Sequence, residues 1–316
     1  MSLRVFAPGK MVLTGAYAVL RGAPAISVAV SRGAYAIAGS RGPASREVAA
    51  AIGEEPAPKV DTSALFDGDR KLGLGASAAG LVATLGLLAH DIGQDLSRPD
   101  VRASLFARAR AAHGQAQQGG SGVDVATAVH GGTIAYRLSG TDAEITPCPL
   151  PQSIVVHAYA SSTCARTTLL RAKVDALRTR DPVQDARVFD ILSTASLEAH
   201  AACLANDAEG FLAASRAFGE ALAALGRAAE APLVSPAEVE LARLAGSFGE
   251  AFFPSGAGGG DVAVRLLRRG STSTDVFEAA ARRAGWVPLD LGPDTRGVRL
   301  EHSAFSARPL EQVAPS

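Results

Sequence analysis

The sequence has few cysteines, little lysine and no excess of either charge. Its 31 Lys and Arg residues equal its 31 Asp and Glu residues in number. Proteins that bind nucleic acid or an anionic membrane surface usually carry a basic surplus, so the balance argues against both classes of partner. The three cysteines, Cys148, Cys164 and Cys203, form no closely spaced pair. A disulfide framework or a zinc site is therefore not expected, and we predict a cytoplasmic protein.

Hydrophobic residues fill 47% of the 316 positions, enough for a large core in one domain or two lobes. Residues 72–89 have the length of a membrane helix, but they open with glycines and lack basic or aromatic flanks at both ends. Residues 11–20 resemble a short secretion signal interrupted by Thr14-Gly15. We therefore expect a buried helix in the first case, no cleaved signal in the second, and no membrane association.

The first third of the sequence predicts antiparallel strands, and the remainder predicts helices with a few further strands. Turns are expected at Pro8-Gly9 and at Ser31-Arg32-Gly33. A long helical stretch, 167–246, should be interrupted at its prolines. This order predicts an α+β fold with two lobes. The predicted strands are 4–7, 11–20, 25–30, 34–38, 133–138, 154–159, 251–254, 262–267 and 298–301. The other predicted helices are 76–90, 99–113, 123–129 and 274–284. Residues 39–69 should be mainly loop.

Lysine occurs only at positions 10, 59, 71 and 173, so arginine supplies the rest of the basic residues. A lysine that persists in such a chain is a candidate for chemistry that needs a compact ammonium group. Lys10 and Lys71 both adjoin glycine-rich segments.

Three glycine-rich segments stand out, at 7–10, 71–79 and 254–261. The second runs into a predicted helix, whose free N–H groups and partial positive charge suit a phosphate group. Ser77 in that segment could cap the helix or bind Mg²⁺. The third segment contains four glycines within five residues, which favours a close approach to a ligand over an ordinary turn. Between them, Asp124 follows another glycine cluster and is either a helix-capping or a catalytic carboxylate.

Taken in order, Pro8-Gly9-Lys10, the phosphate-loop motif at 73–79 and the glycine-rich loop at 256–260 resemble the GHMP kinase superfamily. The resemblance implies a ribosomal-protein-S5-like N-terminal lobe (1–150) that binds ATP and a ferredoxin-like C-terminal lobe (151–316). It also implies Mg²⁺ as a cofactor, a small-molecule acceptor, and a monomer or homodimer.

Within the superfamily, 112–126 and Asp261 directly after Gly260 resemble the phosphomevalonate kinase family, which transfers a phosphoryl group from ATP to 5-phosphomevalonate. The matching positions imply Lys10 and Asp124 as catalytic residues, Gly73, Leu74, Gly75, Ala76, Ser77 and Ala78 as the nucleotide loop, Ser77 as the Mg²⁺ ligand, and Lys71, Ser121, Gly122, Arg166, Ser255, Gly256, Gly258 and Gly259 as acceptor-binding residues.

Several positions depart from the family pattern. Ala76 replaces a serine, 15–17 read Gly-Ala-Tyr where mevalonate kinases carry Gly-Glu-His, and 163–166 differ from the family segment near the substrate. The sequence therefore leaves open a superfamily kinase with another acceptor, such as mevalonate, another mevalonate phosphate or a sugar. A catalytically silent nucleotide-binding regulator is the remaining alternative.

Overall fold

The computed structural model describes residues 3–53, 56–140, 142–161 and 167–302. The described strands are, in chain order, β1 Leu3–Thr14, β2 Ala25–Gly42, β3 Ala57–Asp61, β4 Phe66–Asp67, β5 Arg70–Lys71, β6 Thr133–Ser139, β7 Asp142–Pro147, β8 Ile154–Ser161, β9 Ala251–Pro254, β10 Val262–Arg268, β11 Trp286–Leu289 and β12 Arg299–His302. The helices are α1 Arg46–Ile52, α2 Ala76–Asp91, α3 Pro99–Ala116, α4 Val123–His130, α5 Thr167–Arg180, α6 Pro182–Leu204, α7 Ala208–Ala228, α8 Pro236–Ser247 and α9 Thr274–Arg283.

The first sheet has six strands, in the order β12-β1-β2-β6-β7, with β3 paired to the second half of β2. All of its pairs are antiparallel. Helix α2 packs on β1 and β2 and contacts α3 and α4 on its other sides. Because α2 combines small residues with leucines, it is buried on nearly all sides, as expected for the apolar run at 72–89.

The second sheet has four antiparallel strands, in the order β11-β8-β10-β9. Helices α5 to α8 connect β8 to β9, and α9 connects β10 to β11, which gives the β-α-β-β-α-β order of a ferredoxin-like lobe. One face carries a compact aromatic cluster of Tyr159, Phe252, Phe277 and Trp286. The predicted two-lobed α+β fold is confirmed.

The chain returns to the first sheet at its last described strand. Strand β12 pairs with β1, so the sheet that begins the chain also contains residues 299–302. A second connection joins Arg21, after β1, to α6: its guanidinium lies 2.7 Å from Asp185 and stacks on Phe189. The division of the chain into lobes 1–150 and 151–316 stays a prediction.

Both predicted turns in the first sheet are wrong. Strand β1 continues through Pro8 and Gly9, and β2 continues through 31–33. Pro8 lies opposite Gly33 while Gly9 lies opposite Val30, so two residues of β2 bulge out of the ladder. The glycines allow close packing here: a β-carbon on Gly33 would lie 2.2 Å from the Ala7 carbonyl oxygen.

The helices predicted before residue 130 and after 274 are confirmed to within a few residues. The expected strand at 11–20 ends at Thr14 and is followed by a short 3₁₀ turn, Ala18–Arg21. The long helical stretch breaks at Pro182 and Pro236 as predicted, and also at Asn206, which the sequence analysis missed. Among the described residues, no helix has the length and apolar content needed to cross a membrane.

Candidate active site

Lys10 and Asp124 form an ion pair between the first sheet and α4. Lys10 lies on β1 and is only 8% exposed, and its Nζ is 3.5 Å from Oδ1 of Asp124. Asp124 is in the first turn of α4 and its side chain is 34% exposed. The pair therefore holds a buried ammonium group against a carboxylate that a ligand can reach.

The phosphate-loop motif packs directly on this pair. The backbone N–H of Lys10 donates to the Leu74 carbonyl at 2.9 Å. Gly75 precedes α2 in a left-handed conformation, and a β-carbon there would lie 3.1 Å from Lys10 Cγ and 3.8 Å from Asp124 Oδ2. The first N–H groups of α2 thus lie next to a lysine and an aspartate, as binding and transfer of a phosphoryl group would require.

Ser77 is the second residue of α2 and is half-buried. Within the described part of the chain, no group of three or more His, Cys, Asp or Glu residues could hold a metal ion by itself. Mg²⁺ usually binds one or two protein ligands together with substrate phosphates and water, and it prefers oxygen ligands. A hydroxyl at the start of α2 fits that kind of site.

The third glycine-rich loop closes over the same lysine. A β-carbon on Gly256 would lie 3.6 Å from Lys10 Nζ. The Ser255 hydroxyl accepts a hydrogen bond from the Val12 N–H at 3.0 Å and lies 3.3 Å from the Val12 carbonyl. The Ser255 hydroxyl therefore fastens this loop to β1, and its role in binding the acceptor stays a prediction.

Other parts of the third loop face away from Lys10. The Gly259 N–H donates to the Leu233 carbonyl at 2.9 Å, and a β-carbon on Gly258 would lie 2.3 Å from the same oxygen. These two glycines therefore pack against the segment before α8. Asp261 faces the phosphate loop instead, because a β-carbon on Gly73 would lie 2.9 Å from Asp261 Cβ.

The glycine cluster before α4 is braced by a tyrosine and approached by two arginines. The Tyr136 hydroxyl donates to the Ser121 carbonyl, and burial raises the pKa of Tyr136 to about 12, so the hydroxyl stays protonated. The Ser121 hydroxyl accepts from the Val123 N–H at 3.3 Å. A β-carbon on Gly122 would lie 3.0 Å from Arg110 Cγ, and Arg171 approaches the cluster from α5.

No family model matches the chain. Phosphomevalonate kinase from Streptomyces sp. (strain CL190) is 28% identical over 260 residues, which cover 75% of this chain and 68% of that protein. A solved Lin0012 protein from Listeria innocua has a TM-score of 0.81 at 22% identity, over 96% of this chain and 100% of the other. Streptococcus pneumoniae phosphomevalonate kinase in complex with phosphomevalonate and AMPPNP has a TM-score of 0.72 at 14% identity, over 93% and 99% of the two chains.

The chain has the fold of this phosphomevalonate kinase and is similar in sequence to the Streptomyces protein, in line with the resemblance to the GHMP kinase superfamily. Its three glycine-rich motifs, which lie far apart in the sequence, meet around Lys10. At these identities the solved structures establish the shared fold and not the acceptor.

The acceptor-binding roles of Lys71 and Arg166 stay predictions. Lys71 is exposed on the hairpin formed by β4 and β5, where it pairs with Phe66, before the phosphate loop. Phe66 lines an open pocket of about 510 Å³ together with residues of β3 and the loop after it, including Lys59 and Thr62. Lys71 is therefore placed beside this pocket. Arg166, with the rest of 163–166, lies outside the described residues.

The sequence analysis did not identify Arg110 or Arg171 as candidate site residues. Both belong to amphipathic helices whose many arginines give no sequence signal for one over another. Only the approach of their side chains to the glycine cluster at 119–122 distinguishes them from the other arginines of α3 and α5.

Proposed function

We propose that this protein is an ATP-dependent phosphotransferase that converts 5-phosphomevalonate to 5-diphosphomevalonate. The observation that carries the proposal is the placement of Lys10, between the phosphate loop at Gly75, the Asp124 carboxylate and the third loop at Gly256. The likeness to a phosphomevalonate kinase supports the choice of acceptor. A cytoplasmic location is consistent with this function and remains part of the proposal.

In the proposed reaction, an oxygen of the acceptor phosphate attacks the terminal phosphorus of ATP, the bond to the bridging oxygen breaks, and ADP leaves. Catalysis of such a transfer is mainly positioning and stabilisation of negative charge. The first N–H groups of α2 would hold the nucleotide phosphates, and the Lys10 ammonium would offset charge on the group in transfer. The pair with Asp124 keeps the Lys10 ammonium in place.

A phosphate acceptor needs no strong base. The second pKa of a phosphomonoester is about 6, so the acceptor already carries most of its charge near neutral pH. The main cost is bringing two anions together, which favours cations and backbone N–H groups around the site. With an alcohol acceptor, Asp124 would instead have to accept the hydroxyl proton or orient the lysine.

The open pocket beside the phosphate loop is our candidate for the nucleoside part of ATP. Its walls at Val60 and Thr62 pack on α2, where a β-carbon on Gly80 would lie 3.5 and 3.6 Å from their side chains. Its volume of about 510 Å³ is typical of small-molecule sites. This placement assigns Lys71 to the nucleotide rather than to the acceptor. Mg²⁺, held by Ser77 and phosphate oxygens, would neutralise phosphate charge.

The test is ADP release with Mg-ATP and phosphomevalonate, with mevalonate, or without an acceptor. We expect turnover with phosphomevalonate alone. Turnover with mevalonate alone would contradict the proposal and make Asp124 a base for a hydroxyl group. ATP binding without turnover on any acceptor would favour a nucleotide-binding regulator.

A further inference from the structure

Arg171 is placed between two of the glycine-rich loops that form the candidate site. A β-carbon on Gly119 would lie 3.2 Å from its Nη2 and 3.5 Å from its Nη1. The two terminal nitrogens of the guanidinium thus lie closest to Gly119, the first residue of the cluster that ends at Gly122, directly before α4. Any side chain at position 119 would compete with the guanidinium for this space.

Tyr17 contacts the third loop, and its pKa responds to the charge of Arg171. The Tyr17 hydroxyl donates to the Ala257 carbonyl at 2.8 Å. Burial raises the pKa of Tyr17, the charge of Asp175 raises it further, and the charge of Arg171 opposes both. Tyr17 is thus within electrostatic range of both charged residues, and it contacts the loop that closes over Lys10.

Arg171 keeps the capacity to bind an anion. Its side chain is 38% exposed, and its one described ion pair is with Asp175 one turn later on α5, with Nε and Oδ2 3.6 Å apart. This separation is long for a strong charge-assisted hydrogen bond, which usually measures about 2.7–2.9 Å. The two terminal nitrogens of a guanidinium can then bind a carboxylate with two parallel hydrogen bonds.

The proposed acceptor carries a phosphate and a carboxylate, and the two groups must bind at different places. Its phosphate must reach the nucleotide near Lys10 and the start of α2. Its carboxylate, at the other end of a short carbon chain, must lie away from that point. The Arg171–Asp175 pair carries no net charge, so Arg171 offers little net attraction to a dianionic phosphate. Its planar guanidinium instead offers directional hydrogen bonds that match a planar carboxylate.

We propose that Arg171 binds the carboxylate of the acceptor and so selects an acceptor with an acidic group at the end remote from the transfer. This inference rests on the proposed function, because it assumes an acceptor of the phosphomevalonate class. It assigns a specificity role to α5, a helix outside the three family motifs.

The test is calorimetric binding of three ligands to the intact protein and to Arg171→Ala. The ligands are phosphomevalonate, mevalonate, which lacks the phosphate, and isopentenyl phosphate, which lacks the carboxylate. We expect Arg171→Ala to weaken phosphomevalonate and mevalonate by about 10- to 100-fold. Isopentenyl phosphate and ATP should bind to Arg171→Ala as they do to the unmodified protein. The affinity of Arg171→Lys for phosphomevalonate should lie between those of the unmodified protein and of Arg171→Ala.

Arg178→Ala is the matched control, since Arg178 is exposed on the same helix two turns further on. It should leave all of the affinities unchanged. Unchanged binding of phosphomevalonate to Arg171→Ala would overturn the inference while the proposed function stands. Weaker binding of isopentenyl phosphate but not mevalonate would also overturn it, because Arg171 would then hold the phosphate. Failure of the unmodified protein to bind phosphomevalonate would overturn the proposed function and this inference together.

Discussion

Lys10 Nζ lies 3.5 Å from Oδ1 of Asp124, although the two residues belong to a central strand and to a helix more than a hundred positions later. The phosphate loop packs against the pair at Gly75, and the third glycine loop approaches the ammonium group at Gly256. A buried ammonium group that is reached by two glycine loops is well placed to act on phosphate oxygens.

Replacing Lys10 with methionine should abolish turnover while the fold persists. Methionine keeps much of the side-chain volume but removes the positive charge, so we expect a rate loss of at least about 100-fold. The measurement is the steady-state rate of ADP release, with circular dichroism as the check on folding. Lys173→Met is the control, because Lys173 is exposed and its ammonium bonds only the Glu230 carbonyl on the surface. Near-normal turnover by the Lys10 variant would remove this residue from the mechanism.

Replacing Ser77 with alanine should weaken the Mg²⁺-dependent step. Without the hydroxyl, the Mg²⁺ concentration for half-maximal rate should rise by about 10-fold, since loss of a group that supports a metal commonly costs that much affinity. The measurement is a Mg²⁺ titration at fixed ATP. Ser97→Ala, at an exposed position before α3, should behave as the unmodified protein does. An identical Mg²⁺ dependence in both variants would exclude Ser77 as a ligand.

Replacing Ser255 with alanine should destabilise the protein, because the Val12 N–H would lose its partner in a half-buried position. An unsatisfied backbone donor costs about 1–3 kcal/mol. Urea unfolding measures the loss. Ser247→Ala removes an exposed hydroxyl that bonds only the Leu244 carbonyl within its own helix, and it should cost much less. Equal losses in the two variants would mean that Ser255 does not fasten the loop to β1.

Glu238 provides a prediction on pH. Its Oε2 accepts from the Ser235 N–H at 2.7 Å, its Oε1 is buried without a partner, and burial raises its pKa above the ordinary value of 4.5. The folded protein therefore holds this proton more tightly than the unfolded chain. The stability that this provides is complete below pH 4.5 and is lost as the pH rises through the raised pKa.

Glu238→Gln removes this titration and keeps an acceptor for Ser235. The free energy of unfolding of the variant, relative to the unmodified protein, should therefore increase as the pH rises from about 4 to 8. Urea unfolding across that range measures it. Glu240→Gln, on an exposed position of the same helix, should show little of this trend. A difference that does not change with pH would contradict the burial argument.

The helices were predictable where local signals mark their ends. Glycines precede α2 and α4, and Pro182 and Pro236 stand at the first turns of α6 and α8. The break at Asn206 was missed because an asparagine in the left-handed region gives a weaker signal than proline. The edge strand β7 was missed because its sequence, with acidic residues and a proline, has little strand character.

The wrong turns in the first sheet have a different cause. Pro8-Gly9 and Ser31-Arg32-Gly33 have turn composition, but Pro8 pairs with Gly33 and Gly9 pairs with Val30 across the sheet. Such pairing depends on residues that are far apart in the sequence, so local composition does not predict it.

In the site, the motifs identified Lys10, Asp124 and the phosphate loop, because their order and spacing are specific. The motifs did not distinguish Gly256, which faces Lys10, from Gly258, which packs on Leu233, because both belong to the same glycine-rich loop at 256–260. Nor did they find Arg171, whose position depends on how α5 packs beside Gly119.

The pairing of β12 with β1 has a consequence for synthesis. Strand β1, which carries Lys10, leaves the ribosome long before the strand on one of its sides, which begins only at Arg299. Until then that side of β1 is an open edge, and open edges pair readily with other chains. A transcript truncated before Arg299 would thus yield a polypeptide with all of the proposed site residues and a persistent tendency to aggregate.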